Sequence, residues 1–429
     1  MKIFNVNSKN LGRVLKDIEK KNSSFDPKLV SATEKIVEDV RINGDAALFK
    51  YSKRFDKAEL NKNTIKVSPK EFEDAERKVS KQLLKDLKIA AARIKDYQKK
   101  KMPKGKTYKD SLGNELGWII RPIEKVGIYV PGGKAAYPSS VLMTAIPARV
   151  AGVEKVYVTT PCNNGNINPL VLAAAKIAGV DAVFKAGGAQ AVSALAFGTE
   201  SITRVDKIVG PGNIYVAIAK KLVFGSCDID MIAGPSEVLV IADGSCSPDW
   251  VAADLLAQAE HDEMAVATLV TTSGDFAGEV KKEVKRQLNE LKRKKIASDS
   301  IKNNGKIFVV ENMNQALQIS NAVAPEHLEL CVKSPKSLIN SIKHAGAVFL
   351  GSMSTEPFGD YVSGPSHVLP TGGAAKFSSP LSVYDFIKMP STISISKNGF
   401  KVLGDTVMNL AYSEGLEAHA LSVKRRLNN

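Results

Sequence analysis

The feature that most limits how this chain can fold is a rhythm that begins near Val126. Short runs rich in valine and isoleucine (VGIYV, KVYVTT, DAVFKAGG, DKIVG, EVLVIAD, AVATLVTT, KIFVV and AGAVFL) alternate with stretches of helix length. Runs apolar on both faces suit strands buried on both sides, and an intervening helix is the connection that parallel neighbours require. The pattern predicts βαβ units and largely parallel sheets. Eight or more such strands exceed one compact half, so two α/β units are expected.

Upstream of this rhythm, Leu84, Leu87, Ala91, Ile94 and Tyr97 recur at helical spacing, and the region from Pro27 to Tyr97 reads as helical. The run KKKMPKGK breaks it, and GWIIRPI follows as a strand-like segment. The segment VAADLLAQAEHDE is expected to begin the second unit's share of the chain. Beyond Pro380 the alternation stops, and Gly404 to Leu427 reads as one or two polar helices. A tail of roughly 50 residues is marginal as a core of its own, so it is expected to pack on the body or on a second subunit.

At 429 residues and 44% hydrophobic the chain can bury a real core. No stretch approaches the roughly 20 apolar residues of a membrane span, and MKIFNVNSKN lacks the apolar centre of a signal peptide, so a cytoplasmic location without membrane partners is expected. The formal charge of +15 comes mostly from lysines interleaved with acids, as in KEFEDAERKVSKQLLKDLK. That is the pattern of solvated helix faces rather than of a nucleic-acid surface. Cys162, Cys227, Cys246 and Cys331 form no CxxC pair and read as buried structural thiols.

Four glycine-containing turns follow expected strands: VPGG (130–133), AGGAQ (186–190), VGPGN (209–213) and AGPSE (233–237). Glycine there lets backbone N–H groups approach a phosphate, and ligands of open parallel sheets collect beyond the carboxyl ends of strands. No complete GxGxxG with an acid about 20 residues later is present, so the usual dinucleotide fingerprint fails. Of the five histidines, four sit in chemically suggestive settings: His261 in QAEHDE, His327 in PEHLEL, His367 in GDYVSGPSHVLP and His419 in EGLEAHA. Gln258 and His261, three apart on an expected helix, share a face and can offer two ligands to one metal. Asp360, in a loop rich in Gly, Ser and Pro, can offer a hard oxygen. Glu326 and His327 are adjacent and point differently on a strand or a helix, which suits separate tasks. The same residues also admit bland roles, as a surface helix histidine, a turn former or a hydrogen-bonded histidine at a strand edge. Glu414 and His419, five apart, face different surroundings on an ideal helix.

The motifs VGIYVPGG, SSVLMTAIPARVAG, GGAQAVSALAFGT, DKIVGPGNIYVAIAKK, IDMIAGPSEVLVIAD, LLAQAEHD, PEHLEL, AGAVFLG and GDYVSGPSHVLPT, in this order, resemble the histidinol dehydrogenase family. The resemblance implies a homodimer with shared active sites that oxidises L-histidinol to L-histidine with two NAD+ and one bound zinc. It implies Gln258, His261, Asp360 and His419 as zinc ligands and Glu326 and His327 as the acid/base pair. Ser236, His367 and Glu414 follow as substrate contacts beside the ligands and the acid/base pair, and Tyr129, Gln190 and Asn213 as NAD contacts. Glu414 and His419 are expected to reach the partner subunit's site. Relatives that oxidise other small alcohols, and more distantly a zinc hydrolase, are the alternatives.

The expected fold is accordingly α/β, with two Rossmann-like, incomplete, largely parallel domains, a helical N-terminal segment and a small C-terminal tail. The expected division is an N-terminal arm (1–25), a discontinuous first domain (26–128 with 238–380), an NAD-binding second domain (129–237) and a helical tail (381–429).

Overall fold

The structure is a computed structural model that describes residues 1–20, 25–132, 137–232 and 234–427. Gly133 of the VPGG turn and Ala233 of the AGPSE turn lie outside the described residues. Strand β1 (Lys2–Asn5) and helix α1 (Leu11–Glu19) precede three helices, α2 (Pro27–Asp56), α3 (Pro69–Lys78) and α4 (Lys81–Lys101). Short strands β2 (Lys106–Lys109), β3 (Glu115–Trp118) and β4 (Arg121–Pro122) lead to the first α/β unit. That unit runs β5 (Lys125–Tyr129), α5 (Pro138–Ala151), β6 (Lys155–Thr159), α6 (Pro169–Ala178), β7 (Ala182–Phe184), α7 (Gly188–Phe197), β8 (Lys207–Val209), α8 (Ile214–Val223) and β9 (Asp228–Ile229). The second runs β10 (Glu237–Ala242), α9 (Pro248–Ala259), β11 (Val266–Thr271), α10 (Gly274–Gln287), α11 (Lys294–Asn303), β12 (Lys306–Val309), α12 (Met313–Val323), β13 (His327–Cys331), β14 (Ala347–Leu350) and α13 (Glu356–Tyr361). The tail holds β15 (Ile387–Lys388), β16 (Ser391–Ser394), α14 (Lys397–Ser413) and α15 (Glu417–Leu427).

Both large sheets are parallel throughout, ordered β7-β6-β5-β8-β9 and β1-β12-β11-β10-β13-β14. In each unit the strand that enters first lies centrally, the next two extend to one side and the following two to the other. This is the winding of a mononucleotide-binding half, with its switch point between the first and fourth strands. All eight expected strands are present. The strand β13 was not among them, because Glu329 interrupts its apolar run and is nevertheless buried.

The helices of residues 27–101 pack differently from the expected division. Val37, Val40, Leu48 and Tyr51 of α2 join the core beside Ala191, Ala194 and Leu195 of α7. Leu87, Ala90 and Ile94 of α4 join that of Leu142 and Ala145 of α5. Residues 27–101 therefore complete the five-stranded unit rather than the six-stranded one. The reason lies in α5 and α7, which are buried nearly all round and need a second cover. Leu48 and Ile94 are fully buried, each contributing about 1.5–3 kcal/mol. The N-terminal arm is likewise not separate, since β1 pairs with β12 and extends the six-stranded sheet. Nor is the tail wholly helical: β15 pairs with β4, and β16 pairs with β3. No helix among the described residues is long and apolar enough to cross a membrane.

The VGPGN turn leaves β8 at the switch point of the five-stranded sheet. Gly210 has φ +109°, and a Cβ there would lie 2.2 Å from the Tyr129 carbonyl oxygen. Its N–H donates to Asp230 Oδ2 at 2.7 Å and its carbonyl accepts from Lys220 Nζ at 3.0 Å, while Lys220 and Asp230 form a buried ion pair. Gly210→Ala should therefore cost about 2–4 kcal/mol, from left-handed strain and overlap. Thermal or urea unfolding checks this, and a loss under about 0.5 kcal/mol, the scale of an ordinary surface change, would contradict it.

Candidate active site

Strands β10 and β13 are parallel neighbours with Val238 opposite His327. Their amino ends therefore bring Ser236, Glu237, Glu326 and His327 to one edge of the sheet. Glu326 Oε2 accepts from the Glu237 N–H at 2.9 Å. Both Glu326 and His327 are buried. Burial raises the Glu326 carboxyl well above its ordinary pKa, and the neighbouring Glu237 and Asp360 charges add to this. Burial likewise lowers His327 to about 4, so the ring is neutral at pH 7. His327 Nδ1 lies 3.3 Å from the Glu237 carbonyl, which can only accept. Nδ1 therefore carries the hydrogen, and Nε2 presents a lone pair with no hydrogen-bond partner. A buried neutral imidazole with a free nitrogen is a proton acceptor awaiting a donor.

The segment 356–367 lies against this edge. Asp360 belongs to the short helix α13 rather than to an irregular loop, because Pro357 falls in the first helical turn, where its missing N–H costs nothing. Glu356, four residues earlier, is on the same face. His367 Nδ1 is 3.0 Å from the Asp360 carbonyl and Nε2 is 3.3 Å from Ser140 Oγ of α5, so one imidazole spans both units. Ser236, Glu326 and His367 line a common cavity of about 130 Å³, with Gly210 and Gly212 of the VGPGN turn on its other wall. The site thus sits between the carboxyl ends of the five-stranded sheet and the amino ends of the six-stranded one.

Metal-type donors gather beside it. Ligand atoms of His261, Glu356 and Asp360 lie within 4.8 Å of one another. Gln258 is fully buried, and neither its Oε1 nor its Nε2 has a partner. An orphaned amide at such depth is costly unless something binds it. Helix α9 ends at Ala259, so Gln258 and His261 do not share a helical face as expected. His261 follows in an exposed turn, its N–H donating to the Gln258 carbonyl at 3.2 Å. Among the described residues, three of the four expected ligands lie in this region. The fourth, His419, and the expected substrate contact Glu414 are exposed on the tail, and neither side chain has a hydrogen bond or ion pair to the site.

Tyr129, Gln190 and Asn213 line a separate cleft of about 1780 Å³ beyond the carboxyl ends of β5, β6 and β7. Tyr129 Oη accepts from the Gly188 N–H at 3.1 Å, and its burial raises its pKa to about 12. Asn213 caps α8 by accepting from the Tyr215 and Val216 N–H groups. Gln190 Nε2 is buried and unpartnered. The cleft exceeds an ordinary small-molecule pocket of roughly 300–1,000 Å³.

Two doubly wound units, a nucleotide-sized cleft and a dry histidine–carboxylate centre define an α/β enzyme of the dehydrogenase class. The chain belongs to the histidinol dehydrogenase family, whose model, described as "Histidinol dehydrogenase", matches residues 19–427. It is 51% identical over 427 residues to the histidinol dehydrogenase of Syntrophotalea carbinolica, covering 100% of this chain and 99% of that one. It is 50% identical over 418 residues to that of Aquifex aeolicus, covering 97% of each. The crystal structure of histidinol dehydrogenase from Elizabethkingia anophelis superposes with a TM-score of 0.94 at 38% identity, covering 100% of this chain and 98% of that one.

Sequence reasoning missed four acids around this centre: Glu237, Glu356, Asp254 and Glu329. The four-residue step from Glu356 to Asp360 was a usable signal. Asp254 of α9 and Glu329 of β13 meet in the interior, and Glu329 Oε1 accepts from the Glu356 N–H at 2.8 Å. The elements carrying Gln258, His327 and Asp360 are joined there. Burial, with the Asp254 charge, raises Glu329 to about 9. The folded state thus holds a proton that the unfolded chain releases above about pH 4, the ordinary carboxylate range, and this contribution to stability falls as pH rises toward 9. Glu329→Gln should flatten that decline, read as melting temperature against pH. An unchanged slope would show that Glu329 ionises freely in the fold.

Proposed function

We propose that this chain catalyses the zinc-dependent, NAD-linked, four-electron oxidation of L-histidinol to L-histidine through an enzyme-held aldehyde, the final steps of histidine biosynthesis, in the cytoplasm. The observation that carries the reading is the unpartnered Nε2 of buried His327 beside Glu326 and the metal-type donors, in a chain of this family. Gln258, His261 and Asp360 would hold zinc, with His419 from a second copy, and the orphaned Gln258 amide and the gathered donors fit that ion. Zinc, when bound, supplies a template that fixes the substrate's amino and imidazole nitrogens. Tyr129, Gln190 and Asn213 would hold NAD+ in the 1780 Å³ cleft, where it would supply a hydride acceptor for each oxidation.

His327 Nε2 takes the hydroxyl proton as the alcohol carbon loses hydride, leaving the aldehyde. Glu326 then deprotonates the water that adds to the aldehyde, whose oxygen takes back the proton held by His327, and the hydrate loses the second hydride as His327 again takes a hydroxyl proton, giving the carboxylic acid. Burial makes the Glu326 carboxylate a stronger base than an exposed one, which suits it to deprotonate water. Ser236 and His367 line the cavity against the substrate and, with the neighbouring glycines, exclude bulk water.

The tail supports a dimeric reading. Ile393, Val402, Val407, Leu410 and Tyr412 are exposed on it, an apolar face that suits cover by a second copy. In the proposed homodimer each tail carries Glu414 and His419 into the partner's site.

Purified protein given L-histidinol and NAD+ should release two NADH per histidinol, stop with a chelator and recover with zinc. A stoichiometry of one, or no NADH, would refute the four-electron reading. His327→Asn should lower kcat by about 10²–10⁴ while retaining zinc, and His261→Asn should weaken zinc itself.

A mixture of inactive His261→Ala and His419→Ala chains, refolded together, should regain activity, because one site of each mixed dimer is intact. No recovery in a verified mixed dimer would refute the shared site.

A further inference from the structure

The dinucleotide fingerprint fails in this sequence: no complete GxGxxG is present, and Glu154, about 20 residues beyond the first glycine turn, precedes β6 rather than following it. In a doubly wound fold the fingerprint's acid stands at the end of the second strand and binds the ribose 2′-hydroxyl of NAD. Here the second strand of the five-stranded sheet is β6, and the residues after it that line the cleft, Thr160, Pro161 and Cys162, include none.

An acid reaches this place from another element. Asp56, the last residue of α2, lines the cleft, and Asp56 Oδ2 accepts from the Gly187 N–H at 3.3 Å. Gly187 lies against the end of β6, for a Cβ there would be 2.4 Å from Pro161 Cγ. Asp56 also acts electrostatically on the Cys162 thiol and on Tyr129, which brackets it between the ends of β5 and β6. It is the sole carboxylate among the described residues lining the cleft, whereas Lys28, Lys35, Arg54 and Lys57 supply four cations from the same helix and its cap. Lys57 adopts a left-handed backbone, φ +52°, which turns the chain sharply after the acid.

Three helix starts around the cleft, those of α6, α7 and α8, are met by the protein's own side chains. Asp56 and Tyr129 hold the Gly187 and Gly188 N–H groups, Asn213 holds those of α8, and Asn168 holds that of Leu170 in α6. These backbone groups are therefore not open to a pyrophosphate, whereas the α2 cations can meet its charge.

We propose that Asp56 binds the adenosine ribose hydroxyls of the dinucleotide and thereby selects NAD+ over NADP+, a proposal that rests on reading this cleft as the NAD site. One carboxylate oxygen is engaged by Gly187, and the other is available to the ribose. A 2′-phosphate would meet this negative charge. With the charge removed, Arg54 and Lys57, two residues before and one after, would meet the phosphate instead.

The test is calorimetric binding of NAD+ and of NADP+, without histidinol, to the wild type, Asp56→Asn, Asp56→Ser and Asp56→Ser with Arg54→Ala. The wild type should prefer NAD+. Losing a charged hydrogen bond should weaken NAD+ binding by about tenfold or more in Asp56→Ser, while NADP+ binding strengthens. Adding Arg54→Ala should remove that gain. Asp56→Asn keeps an acceptor for the Gly187 N–H, so it should fold as the wild type and still shift the ratio toward NADP+. If both dinucleotides weaken equally in Asp56→Asn and Asp56→Ser, or neither changes, Asp56 only braces the start of α7 and the inference is overturned while the cleft's assignment stands. A wild type that binds neither dinucleotide overturns both.

Discussion

The pairing of β10 with β13 is the constraint on which the rest of the site depends. Because the two strands run parallel with Val238 opposite His327, the Glu237 backbone faces both Glu326 and His327 and supplies each with a partner. The N–H holds the carboxylate, and the carbonyl fixes the tautomer of the ring. Further acids stand around this pair: half-buried Glu237, and buried Glu356 and Glu329. Desolvation, rather than neighbouring cations, is the largest influence on each of these acids, and it raises them all.

Much of the architecture could be read from the chain, and the failures share a cause. The strands with unbroken Val and Ile runs were evident, as was the helical character of residues 27–97. The strand β13 was hidden because it begins with His327 and carries Glu329 inside, and a hydropathy pattern cannot announce a buried acid. Asp360 looked like a loop residue because Pro357 and Gly359 disguise the short helix that carries it. Helix α9 was read one turn too long, so His261 was placed on a face it does not occupy. The stripe on α4 showed that it must pack, but not that its partner is the buried helix α5.

The same limits apply to the chemistry. Candidate ligands were identified by residue type and family resemblance, and three of them lie near one another because α9, the turn after it and α13 pack together within the six-stranded unit. Glu356 and Glu237 have no sequence mark beyond their spacing, and their significance comes from burial. Glu414 and His419 are exposed in the single chain, and a role for them requires something outside it.

The placement of the centre at the amino ends of the six-stranded sheet leaves the opposite rim of that sheet without chemical duty. The connections after β10, β11, β12 and β13, around residues 243–247, 272–273, 310–312 and 332–334, are where an open parallel sheet ordinarily keeps its ligands. Here they hold themselves together through local bonds such as those of Asp243 to Ser245 and Lys333. Lengthening, grafting or labelling is best tolerated on that rim, where added chain has room to drift away from the reaction. It offers a natural point of attachment away from the reaction.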